Sequence, residues 1–140
     1  MPIRFNQDRL DTFDAVLPAI TRFRAVFGRD LSPDFLAELY VARELDLELP
    51  DRPNEPGPDA TDERGQKYEI KYRSPSTLNI DLNSFNFDQL ILVNLAEDYH
   101  LIGMWCMPVE KAKALFTFRE KYHKYQATQE KVKREAIRIR

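Results

Sequence analysis

The chain has one cysteine, four glycines and two histidines in 140 residues. A single cysteine, Cys106, excludes an internal disulfide and denies a cysteine-based zinc site its ligands. Its expected role is that of a small buried apolar residue. The four glycines are scattered, so no glycine-rich loop is present to cradle a phosphate. His100 and His123 stand far apart without partnering ligands. His100 reads as a hairpin-edge residue, and no serine–histidine–aspartate set stands out. No apolar run approaches the ~18–20 residues that cross a bilayer. The opening residues, MPIRFNQDRL, lack the apolar centre of a secretory signal. The expected setting is cytoplasmic, with no membrane partner.

What is present suits one folded domain, 1–140. Hydrophobic residues make up 43% and aromatics 11%, enough to build a core and to argue against wholesale disorder. The net charge of −2 conceals a division. Residues 1–110 carry 11 Lys+Arg against 20 Asp+Glu, whereas residues 111–140 carry 10 against 3. A body at −9 therefore precedes a tail at +7, and a local positive potential can hold a polyanion whatever the total charge. The same tail also fits a solvated amphipathic helix.

Along the chain, an N-terminal helical segment is expected over 7–28. Leu10, Phe13, Leu17, Ile20 and Phe27 recur at helical spacing, with Val16 and Phe23 widening the stripe. Pro18 should kink or split it, and Gly28 reads as its stop. Ser32-Pro33-Asp34 signals the start of a second helix, about 33–47. Its expected inner stripe is Phe35, Leu39, Ala42, Leu45 and Leu49. A proline-rich loop, Pro50 to Pro58, follows. The period then changes to two. Ala60–Asp62 and Gln66–Arg73 read as a hairpin about Glu63-Arg64-Gly65, and Leu78–Asn83 reads as a short edge strand or extended loop. Phe87–Leu95 and His100–Met107 are nearly continuous apolar strands, which implies cover on both faces. A helix carrying Val109, Ala112, Leu115 and Phe116 follows Pro108. In the basic segment 117–140, Phe118, Tyr122 and Tyr125 stand at helical spacing among Arg119, Lys121 and Lys124. Ala136–Arg140 alternates, as an added strand or a free arm would. The order α-α-β-β-β-β-α is that of an α/β chain, an α+β sandwich with a central mixed sheet of about four strands flanked by helices.

The chemistry concentrates in residues 56–73. Glycine in the third loop position suits a type I turn closed by a left-handed residue, and it fixes a register in which paired residue numbers sum to 128. Asp59 then faces Glu69, with Lys71 on the same face and Tyr68, Ile70 and Tyr72 on the other. Two opposed carboxylates repel each other. Lys71 offsets one charge; a divalent cation with oxygen ligands offsets both. A plain solvated stripe of Lys67, Glu69, Lys71 and Arg73 is the alternative. Glu38 sits at the edge of the second helix's buried stripe, where an acid must be paired with Arg43 or Arg73, escape to solvent, or bind an ion.

An acid on a helix, then Pro58-Asp59, nine residues, and Glu69-Ile70-Lys71 resembles the PD-(D/E)XK nuclease superfamily, with its restriction-endonuclease-like fold. The stretch from about Phe35 to Leu115 resembles its small stand-alone bacterial members. The resemblance implies that Asp59, Glu69 and the Ile70 carbonyl would ligate Mg²⁺, with Mn²⁺ as a substitute. Glu38 would complete the cluster directly or through water, and Lys71 would position or deprotonate the attacking water. It further implies DNA as substrate, with RNA still open, and host defence as the setting. Lys67, Arg73, Asn79, Asn83, Gln89, Arg119, Lys121 and Lys124 are candidate nucleic-acid contacts. Cutting both strands requires two sites, and a homodimer supplies them. A nucleic-acid-binding module that does not cut, or a structural or regulatory subunit, would use the same fold.

Overall fold

The computed structural model describes residues 2–51 and 57–140, so the centre of the Pro50–Pro58 loop lies outside the described residues. Helix α1, Gln7–Phe27, begins where the Asn6 side chain accepts the Arg9 N–H and ends at Gly28, whose φ of 73° is left-handed. It runs through Pro18 as one helix. The proline removes a single backbone donor, and the turns on either side still hold. None of its residues is buried. The expectation that its apolar stripe faces the core is corrected: the helix touches the body mainly at its C-terminal end. There Phe23 and Phe27 meet the Phe35 ring edge-on, with centroids 5.8 and 5.9 Å away.

Helix α2, Pro33–Leu45, starts as expected, with the Ser32 hydroxyl accepting the Phe35 N–H. Its buried residues are Phe35, Ala37 and Val41. The expected stripe holds at Phe35, with Leu45 and Leu49 packed on the core, and is corrected in its middle, where Ala37 and Val41 face inward in place of Leu39 and Ala42. Two small residues let the helix lie close to the sheet, while Leu39 and Ala42 line an open cavity.

Strands β1 (Ala60–Thr61) and β2 (Lys67–Arg73) pair antiparallel as Ala60↔Tyr68 and Thr61↔Lys67, in the expected register. Gly65 takes a φ of 79° in the turn, and the Asp62 carboxylate accepts the Arg64 and Gln66 N–H groups, each at 2.9 Å. β4 (Gln89–Leu95) runs parallel to β2, and β5 (Leu101–Pro108) returns antiparallel beside β4. The chain continues as α3 (Val109–Leu115), β6 (Thr117–Arg119), β7 (Lys124–Thr128), α4 (Gln129–Glu135) and β8 (Ile137–Arg138).

The described residues thus form four helices and a five-stranded mixed sheet, β1-β2-β4-β5-β8, one strand more than expected. Leu78–Asn83 supplies β3 (Asn79–Leu82), which leaves the main sheet for a second one, β3-β7-β6. The helical reading of Phe118, Tyr122 and Tyr125 is corrected. These residues lie on and between β6 and β7, where His123 takes a φ of 50° in the turn. Within β6 and β7, Phe118 and Tyr125 are direct cross-strand partners with ring centroids 5.2 Å apart. The end of the chain is an added strand, with Ile137 opposite Cys106.

β4 is apolar for the expected reason. Leu90 and Leu92 enter a core with Ile80, Leu82, Trp105, Met107 and Phe116 on one face. Ile91 and Val93 join Ala37, Val41, Ile70 and Met104 on the other. The buried Asn94 amide donates to the Arg73 carbonyl at 2.9 Å and to Gln129 Oε1 at 2.8 Å. The Gln129 amide in turn donates to the Ser74 carbonyl at 2.8 Å. These bonds tie the second sheet's exit to the end of β2.

Candidate active site

The site begins just ahead of β1, where its pairing with β2 stops. Asp59, one residue ahead of β1, donates its N–H to the Tyr68 carbonyl at 3.1 Å, and its Oδ2 accepts the Ile70 N–H at 2.8 Å. Backbone groups of alternate residues in a strand point to the same neighbour. The Ile70 carbonyl therefore points to the β1 side, like its N–H, where the β1 ladder has already stopped. Asp59 and the Ile70 carbonyl share this open edge of β2.

Glu69 and Lys71 stand side by side on one face of β2, opposite Leu90 and Leu92 in the ladder. Lys71 Nζ lies 3.1 Å from Glu69 Oε1, and both side chains are about three-quarters covered. Glu38 approaches from α2. Burial, with the nearby Asp59 charge next, pushes its carboxyl from 4.5 up to about 7; Arg29 opposes, and Asp34 and Glu69 add to the rise. Burial and the Glu69 charge likewise push Asp59 from 3.8 to about 6, against the Ile70 N–H and Lys71, which favour its ionised form. Carboxylates held where their charges are mutually unfavourable are a recurrent mark of functional sites.

The cation beside Glu38 is Arg29, in place of the expected Arg43 or Arg73. Arg29 stacks on Phe35, 3.7 Å from the ring centroid, and donates to the Pro50 carbonyl. The sequence reasoning missed Arg29, which carries no motif. It also missed Asp34 as a contributor, although its position one helical turn before Glu38 was a readable signal.

Oxygen donors of this kind suit a hard divalent cation. Asp59 keeps one carboxylate oxygen beyond its bond to Ile70, the Ile70 carbonyl opens to the same edge, and Glu69 and Glu38 supply further oxygens. The donor set fits in chemistry. Among the described residues, no three His, Cys, Asp or Glu side chains converge closely enough to hold an ion by themselves. The arrangement is one of neighbouring donors rather than a closed cage.

The remaining candidates are dispersed. Gln89 pairs with Tyr68 in the ladder, on the opposite face from Glu69 and Lys71, and its Oε1 accepts from Cys106 Sγ at 3.4 Å. Arg73 shares the Glu69 face but is engaged with the Asn79 and Tyr72 carbonyls at 3.2 and 2.7 Å. Lys67 and Asn83 are exposed. Asn79, Arg119 and Lys121 line a cavity of about 580 Å³ on the second sheet, together with Tyr122 and Lys131. Lys124 lies directly opposite Arg119, a like-charge pair that an anion would relieve. No protein-family model matches this chain, and no curated protein matches its sequence. Among the described residues, no helix is long and apolar enough to cross a membrane.

Proposed function

We propose that the protein is a metal-dependent endonuclease of the restriction-endonuclease-like fold. It hydrolyses DNA phosphodiester bonds in the cytoplasm, in a role such as host defence, and it works as a homodimer with one site per strand. The observation that carries this reading is the placement of Glu38, Asp59 and Glu69 as neighbouring oxygen donors about the unpaired edge of β2, with Lys71 paired to Glu69. There burial first, and the neighbouring carboxylates second, raise Glu38 to about 7 and Asp59 to about 6. A fold gains nothing in stability from such a cluster, and a cation-dependent reaction explains it.

Asp59, Glu69 and the Ile70 carbonyl would hold Mg²⁺ or Mn²⁺, with Glu38 behind them. The bound ion would act as a Lewis acid toward a phosphoryl oxygen and toward water. The chain's own residues do the rest. The Ile70 N–H fixes the Asp59 carboxylate, leaving its second oxygen directed at the edge. Lys71, now held by Glu69, stands where it can exchange that partner for an attacking water or for the charge building on phosphorus.

A module that holds nucleic acid without cutting it is the second reading. The basic and aromatic cavity of Arg119, Lys121, Tyr122 and Lys131 favours it. Supercoiled plasmid with Mg²⁺ or Mn²⁺ separates the two. Nicking or linearisation is expected from the native chain, and none from Asp59→Ala or Lys71→Ala, each with its fold retained. Cutting that survives in both variants would refute the assignment. Salt-sensitive binding without cleavage of any DNA or RNA would establish the second reading.

A further inference from the structure

Among the described residues, helix α1 beyond its C-terminal contact with Phe35 has no partner in the body, and Phe13 packs only on the nearby Phe5, with ring centroids 6.0 Å apart. Leu10, Phe13, Leu17 and Ile20 are 43%, 50%, 47% and 48% exposed, and Val16 is 44% exposed. Isolated surface leucines need no explanation, but a continuous row of large apolar side chains along one helix does. The row is spaced 3-4-3: Leu10, Phe13, Leu17, Ile20. It continues in the same rhythm through Arg24 to Phe27, the seam of a two-helix coiled coil. Pro18 falls outside this seam, where its missing N–H does not obstruct a neighbouring helix.

We propose that α1 is a self-association helix that pairs antiparallel with α1 of a second copy. Charge decides both the partner and the direction. The first part of the helix, through Asp14, carries Asp8, Asp11 and Asp14 against Arg9. The remainder carries Arg22 and Arg24 with no acid. Asp14 flanks the seam and Arg24 lies in it, so antiparallel pairing sets Asp14 beside Arg24 of the twin, whereas parallel pairing opposes each to its own copy; Asp8, Asp11 and Arg22 face away from the seam and add only the longer-range field. The acids of the first half also count against an anionic membrane or a nucleic acid as the occupant.

Aligning Leu17 with Ile20 of the second copy places Leu10 against Phe27 and Phe13 against Arg24. Arg24 is then within a turn of Asp14 of the twin. Its present partner, Asp30 at 2.9 Å, is a highly exposed pairing of the kind that exchanges readily. The same alignment brings the N-terminal end of one α1 to the C-terminal end of the other. There Phe27, Leu36, Leu39 and Ala42, with Tyr40 and Arg43 at their side, line a mostly apolar cavity of about 540 Å³. One two-fold contact thus covers both uncovered apolar surfaces, and it does not depend on whether the chain cuts DNA.

Sedimentation equilibrium of the full chain tests this. The expected mass is twice the 16.5 kDa of one chain. Phe13→Glu combined with Leu17→Glu should give monomer, with the Trp105 near-ultraviolet signal retained because neither side chain is buried in the body. Asp14→Arg and Arg24→Asp should each weaken the dimer by about tenfold, and the two together should restore it. A native chain that is monomeric across the micromolar range overturns the proposal, as does a dimer indifferent to the Phe13 and Leu17 changes. Failure of the paired charge exchange to restore the dimer overturns the antiparallel direction.

Discussion

Replacing Glu38 by glutamine should stabilise the protein at pH 8 in the absence of divalent cations. In the folded chain burial and the neighbouring acids raise this carboxyl from 4.5 to about 7, so the native state holds a proton that the unfolded chain releases. Between those two values stability falls as pH rises, because the unfolded state binds fewer protons than the native one. The full effect is about 3 kcal/mol at about 1.4 kcal/mol per tenfold change in proton affinity, and the solvent that reaches part of this half-buried side chain reduces it to about 1–2 kcal/mol. Glutamine keeps the shape and removes the charge, so the gain of Glu38→Gln should be near zero at pH 4 and complete above pH 7. Urea unfolding of both proteins at pH 4, 6 and 8 measures it, read as the midpoint at constant slope. Adding Mg²⁺ should close the gap at pH 8 by stabilising the native chain more than the variant. A variant less stable than the native chain at pH 8, or a difference that is the same at all three pH values, would refute the account of the cluster.

The rest of the fold makes its own predictions. Leu92→Ala empties a fully buried position in the core between the two sheets and should cost about 2–5 kcal/mol by chemical denaturation. Gln129→Ala leaves the Asn94 amide and the Ser74 and Thr77 carbonyls short of partners. It should cost about 2–3 kcal/mol, and hydrogen exchange should quicken at the end of β2 before it does in β4. Gly65→Ala forces a side chain into a φ of 79° with open space around it. It should cost about 1 kcal/mol in thermal unfolding, and little activity should be lost.

The β1–β2 hairpin was legible because two local signals agreed. A glycine able to take a left-handed turn and a strict alternation of Tyr68, Ile70 and Tyr72 allow only one register. The pairing stops at Ala60↔Tyr68, however, and Asp59 bonds the Tyr68 carbonyl and the Ile70 N–H in place of the expected direct pairing with Glu69. The basic tail was illegible because Phe118, Tyr122 and Tyr125 satisfy a helical spacing, whereas pairing with β3, distant in sequence, imposes strands. Propensity is a weak prior against such a partner. For α2, Phe35, Leu45 and Leu49 face the core as their spacing implies, while Leu39 and Ala42 do not. Close approach to the sheet is permitted by Ala37, whose contribution is its smallness rather than its hydrophobicity. For α1 the stripe was readable, but a stripe does not state which surface it meets. Arg29 reaches Glu38 only because the α1–α2 turn folds back, and no spacing in the sequence encodes that.

The second sheet has a consequence for the order in which the molecule matures. β2, β4 and β5, with the edge that carries Asp59 and Lys71, are complete once residue 108 is made. β3 then still lacks its neighbour, since Ile80 pairs with Ala127 in β7. Until that strand arrives, Ile80 and Leu82, wholly buried in the finished protein, have nothing on one side. A nascent chain that has emerged from the ribosome only as far as α3 would have its acidic edge assembled and its apolar flank bare, the form most in need of a chaperone.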